Sequence, residues 1–153
     1  VQRLAMEKAQ RGFDIIKNEK KLPVLGSDTI VEIDGLILGK PENRQQAKKM
    51  LQQLSAQKHT VHTSVDIVTE EKNFIDTSSS QVLFKPMADQ EIDLYLATGE
   101  ADDKTGSYAI QGTAAQFIKN LNGSFSGVMG LPLFETTQLL KQCGVWPLGR
   151  ASS

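Results

Sequence analysis

Gly26-Ser27-Asp28-Thr29 and Gly39-Lys40-Pro41 set a carboxylate and an ammonium near the two ends of one apolar stretch, LGSDTIVEIDGLILGKP, residues 25–41. A carboxylate at a strand end can orient or deprotonate water, or help to hold a divalent cation, and a nearby ammonium can hold phosphate oxygens. Asp34-Gly35 is a strong signal for a type I′ turn, which pairs Ile33 with Leu36, Val31 with Leu38 and Thr29 with Lys40. Asp28 and Lys40 then stand at the same end of the ribbon. A regular ladder points them to opposite faces, so a shared site requires an irregularity near Gly39 or Pro41, or a ligand that wraps the strand end. A solvated ion pair of little energetic weight fits the same spacing.

A second group of polar residues lies in EADDKTGSYAIQGTAA, residues 100–115, which is long for a mere connection. Its charges, Glu100, Asp102, Asp103 and Lys104, read by themselves as a solvated loop. Gln111 lies beyond them beside Gly112, where an amide can meet the edge of a base with a donor and an acceptor together. On the first helix Arg3 and Glu7 are four apart and can pair, with Lys8 on a different side. His59 and His62 lack a third ligand at metal spacing and read as structural or surface residues. Cys143 has no histidine near it in sequence and reads as a small apolar residue.

The elements that must carry these groups follow from periodicity. Val1, Leu4, Ala5, Ala9, Phe13 and Ile16 mark one face of a helix that ends between Lys17 and Lys21, before Pro23. The hairpin follows, and Ala47, Met50, Leu51 and Leu54 then predict an amphipathic helix over 43–54. Val61, Thr63, Val65 and Ile67 alternate with polar residues as a strand does, and a partner strand runs from about Phe74 to Phe84. Ile92, Tyr95 and Leu96 predict a helix over 89–97, with Gly99 at its C-terminal end. Phe117 to Leu121 reads as a strand, Asn122-Gly123 as a turn, and Pro132 opens a last helix that ends before Gly144. Helices interspersed with hairpins imply an α/β fold, a mixed and partly antiparallel twisted sheet with flanking helices.

With 153 residues and 39% hydrophobic composition, one domain with a real core is expected. Seventeen basic against eighteen acidic residues leave a formal charge of -1, which argues against nucleic-acid or membrane binding driven by a global field; any phosphate binding must be local. Few aromatics and no basic stripe point the same way. One cysteine and no long apolar run make a reducing cytoplasm the expected home. The chain opens at Val1 within a helical pattern, so native sequence upstream is expected.

Several segments together resemble the Maf family of nucleoside triphosphate pyrophosphatases. They are Arg3-Leu4-Ala5 with Lys8-Ala9, Gly26-Ser27-Asp28-Thr29, Lys40-Pro41, Gly99-Glu100 with Asp103-Lys104, Gly106, Tyr108 with Ile110-Gln111-Gly112, Asn122-Gly123-Ser124, and Gly130-Leu131-Pro132. The resemblance covers nearly the whole chain and implies one domain over 1–153 with a Maf/ITPase-like fold. It implies hydrolysis of a nucleoside triphosphate between its α and β phosphates, giving a monophosphate and pyrophosphate with Mg²⁺ or Mn²⁺. Asp28 matches the residue that accepts a proton from water, and Lys8 and Lys40 match phosphate contacts. Asp103, Lys104 and Ser124 complete the implied substrate-binding set, while Asp28 and Glu100 are candidates for the metal. Thr29 and Gln111 match the branch acting on dTTP and UTP, where the sister branch associated with 7-methyl-GTP tends to carry Gln and Glu; modified pyrimidine nucleotides are a further implied substrate.

The resemblance also implies a housecleaning role in the nucleotide pool and a homodimer. A nonenzymatic nucleotide-binding or cell-division regulatory protein is the rival reading, since the family name comes from an effect on septum formation. Ala101-Asp102 replaces the usual Pro-x, Ala109 a usual Gly, and Phe125 a usual Tyr. Family members begin with a strand leading into a Ser-Pro-Arg-Arg turn, and nothing here matches it, so the N-terminal part of the family domain is expected to be missing.

Overall fold

The computed structural model describes residues 1–16 and 22–150. The expected end of the first helix, between Lys17 and Lys21, lies outside them. That helix, α1 (Gln2–Ile16), buries Ala5, Ala9 and Phe13, which recur every fourth residue along one face. Leu4, expected on the same face, stays exposed. Two alanines on the buried stripe let the helix backbone approach β1 (Val24–Ile33) closely, and Gly26 completes the fit. A Cβ on Gly26 would collide with the backbone of Ala5 and Ala9.

Asp34 and Gly35 both take positive φ, 49° and 78°, as a type I′ turn demands. The chain then returns as β2 (Leu36–Leu38), with Ile33 opposite Leu36 and Val31 opposite Leu38 as the turn dictates. The expected Thr29–Lys40 pair does not form. β2 stops after three residues because the Gly39 carbonyl accepts from the Gly106 N–H at 2.9 Å, and Pro41 has no N–H with which to resume a ladder.

α2 (Arg44–Leu54) starts at Asn43, whose side chain caps the Gln46 N–H, and buries Ala47, Met50, Leu51 and Leu54. β3 (Lys58–Val68), β4 (Asn73–Phe84), α3 (Asp89–Ala97), β5 (Ile118–Asn122), α4 (Phe125–Met129) and α5 (Leu133–Gln142) follow. The sheet order is β2-β1-β3-β4-β5, and every pairing among the described residues is antiparallel. The α/β reading of a sheet with flanking helices holds, but the sheet expected to be mixed is antiparallel throughout the described residues, because each of its strand pairs is joined without a parallel crossover. α4 was not expected, because a five-residue helix shows no period in sequence.

The larger core joins Val31, Ile33 and Val61 of the sheet to Leu51 and Leu54 of α2 and Tyr95 of α3. On the opposite face, Ala9 and Phe13 of α1 pack with Val24 and Val68. Alternation assigns Ser64 and Asp66 to a wet side of β3, yet both are fully buried, because they stand opposite Asp28 and Gly26 on the face that α1 covers.

Candidate functional site

Asp28 and Thr29 are consecutive on β1, so their side chains leave opposite faces of the sheet. Asp28 points to the α1 side, where its side chain is 11% exposed and Oδ1 accepts from Lys8 Nζ at 2.6 Å. Lys8 also donates to the Ser27 carbonyl at 3.1 Å. The other carboxylate oxygen, Oδ2, is buried and has no hydrogen-bond partner among the described residues. A buried carboxylate oxygen without a donor is costly, so Oδ2 has the capacity for a further contact.

Thr29 opens on the other side into a cavity of about 150 Å³, lined by Val31 and Val61 of the sheet, Asp103, Lys104, Tyr108 and Gln111 of the loop, and Val128 and Met129 of α4. Several bonds hold that loop in place. Gly106, with φ of 67°, donates to Gly39 as noted, and the Tyr95 hydroxyl donates to the Ser107 carbonyl at 3.1 Å. The Glu100 carboxylate accepts from the Thr113 N–H at 2.9 Å and lies against Gly112, where a Cβ would collide with it. Behind the cavity, the Tyr108 hydroxyl lies 2.7 Å from Nε2 of buried His59. Burial holds the His59 imidazole down at about 4 and pushes the Tyr108 hydroxyl up.

The structure therefore sorts the residues expected at a site into two sets. Thr29, Asp103, Lys104 and Gln111 share the cavity, and Lys8 and Asp28 share the α1 side. The cation paired with Asp28 is Lys8 and not Lys40, which is exposed beyond the end of β2. Glu100 is tied to the loop by the Thr113 contact, and Ser124 does not line the cavity. Ser124 caps α4 instead, its Oγ accepting from the Gly127 N–H at 2.9 Å while its own N–H donates to Ser80 Oγ at 2.8 Å. Arg3 and Glu7 pair as expected at 3.9 Å on the exposed face of α1, a contact of little weight. His62 bonds Ser79 and Glu32 on the sheet surface.

The two sets meet at an edge. β2 pairs only with Val31–Ile33, so residues 24–30 of β1 have no neighbouring strand on that side among the described residues. Among the described residues no group of three His, Cys, Asp or Glu side chains could hold a metal.

His59 is structural, one of the two readings its sequence allowed, whereas sequence reasoning did not single out Thr63 as a neighbour of Thr29. Thr63 lies fully buried on β3 opposite Thr29, with the two Oγ1 atoms 2.9 Å apart. Its only sequence signal is a polar residue at an inward position of an alternating strand.

A family model described as Maf-like protein matches residues 1–143. A dTTP/UTP pyrophosphatase of Hydrogenovibrio crunogenus is 47% identical over 93% of this chain and 73% of its own length. One of Aliivibrio fischeri is 51% identical over 93% of this chain and 75% of its own. A nucleoside triphosphate pyrophosphatase of Haemophilus ducreyi is 46% identical over 94% of this chain and 74% of its own.

Proposed function

The chain belongs to the Maf-like protein family, and on that premise we propose that it hydrolyses dTTP and UTP to the monophosphate and pyrophosphate. The observation that carries this reading is Asp28: one oxygen bonded to Lys8, the other buried and unpartnered, across an open strand edge from a cavity holding Thr29 and Gln111. The base sits in the cavity between the valines, Met129 and Tyr108, and the triphosphate turns around the edge of β1. Water attacks phosphorus, its proton passes to Asp28 Oδ2, and pyrophosphate leaves as the α–β bridge breaks. Lys8 fixes the carboxylate and, with Lys40 and Lys104, supplies positive charge where non-bridging oxygens gain negative charge.

When bound, a divalent cation would be held by Asp28 and the phosphates, and would neutralise phosphate charge. The role that follows is removal of surplus or noncanonical pyrimidine nucleotides. Pyrophosphate release from dTTP and UTP with Mg²⁺ or Mn²⁺ tests the reading. Asp28→Asn is expected to lower kcat by about 100-fold or more while nucleotide binding persists. Turnover equal to that of the unsubstituted chain would remove Asp28 from the role of base, and binding without turnover in the unsubstituted chain would favour a nonenzymatic nucleotide-binding protein.

A further inference from the structure

We infer that Thr63 sets the chain's preference for thymine and uracil over cytosine by fixing which way the Thr29 hydroxyl points. The inference rests on the reading of the cavity as the seat of the base. Thr63 is fully buried, and its Oγ1 stands 2.6 Å from the Gly127 carbonyl and 2.9 Å from Thr29 Oγ1. A carbonyl can only accept, so the single hydroxyl proton of Thr63 belongs to Gly127. Thr63 Oγ1 is then an acceptor toward Thr29, and the Thr29 proton must point at it. The Gly127 carbonyl also accepts the Gly130 N–H at 3.1 Å, so the acceptor that orients this relay is itself fixed by the main chain of α4.

With its proton spent inside the protein, Thr29 offers the cavity lone pairs alone. Thymine and uracil carry N–H at ring position 3 and satisfy such an acceptor. Cytosine carries a lone pair at that position, and two facing lone pairs leave both atoms unsatisfied and repelling. Gln111 lines the same cavity, but a carboxamide holds donor and acceptor together and can flip to suit either base. The fixed hydroxyl therefore carries the discrimination, and Thr63 is a positioning residue acting through Thr29.

The experiment compares kcat/KM for UTP and CTP. The unsubstituted chain is expected to favour UTP, and Thr63→Val, which frees the Thr29 proton to donate into the cavity, is expected to shrink the UTP/CTP ratio by about tenfold. Thr63→Ser keeps the relay and is expected to keep the ratio. A merely structural role lowers both substrates together, so an unchanged ratio in Thr63→Val, or its loss in a folded Thr63→Ser, overturns the inference. If the chain turns over neither nucleotide, the hydrolase reading fails, and calorimetric binding of UTP against CTP reads the same ratio in the same variants. Equal binding of the two by the unsubstituted chain overturns the inference there as well.

Discussion

Oδ1 of Asp28 is held by Lys8 at 2.6 Å while Oδ2 has no hydrogen-bond partner among the described residues, so the two oxygens of one side chain stand in different surroundings. Glu100 is a second carboxylate whose position argues its role. It holds the turn that presents Gln111, through Thr113 N–H on one side and the bare Cα of Gly112 on the other. Glu100→Ala is expected to raise KM for UTP severalfold, on the order of one lost charge-assisted hydrogen bond, with a smaller change in kcat. Glu100→Gln retains a carbonyl acceptor and is expected to restore most of the affinity. Steady-state kinetics decides: a collapse of kcat at unchanged KM would instead favour Glu100 as a metal ligand.

Among the elements, the approach of α1 to β1 depends on the missing side chain of Gly26, and that approach is what lets Lys8 reach Asp28. Gly26→Ala must push the helix away, and about 1–3 kcal/mol of stability should be lost, read as a lower urea midpoint with unchanged slope. Turnover should fall with it, since Lys8 moves with the helix. The hairpin register was legible in sequence because Asp34-Gly35 is a turn with its own backbone chemistry, and α2 because its apolar spacing is regular. The partner of Asp28 was not legible: Lys8 and Lys40 offer the same ammonium group, and only the packing of Ala5 and Ala9 on Gly26 chooses between them. The same holds for Thr63, whose meaning depends on a carbonyl sixty-four residues away along the chain. Family resemblance supplied the expected roles of Thr29 and Gln111, and the fold supplies the separation of Thr29 from Asp28 onto two faces.

At the scale of the molecule, the buried His59–Tyr108 pair links the core to the cavity wall and gives global stability a pH dependence. The unfolded chain protonates His59 near 6.5, whereas the folded chain resists until about 4. Between those values the unfolded state binds the extra proton, so stability is complete above about 6.5 and falls as pH drops toward 4, by about 3 kcal/mol in all. Burial raises the Asp66 carboxyl, which acts with the opposite sign, so the measurement is the difference between the unsubstituted chain and His59→Gln. Urea unfolding at stepped pH should show a slope in this window that the variant lacks, and equal slopes would remove His59 as its source.

β2 has only three residues, and its brevity ties two parts of the chain together. The Gly39 carbonyl, instead of continuing a ladder toward Thr29, accepts from Gly106, so the end of the hairpin becomes the fastening of the loop that lines the cavity, and Pro41 keeps the ladder from resuming.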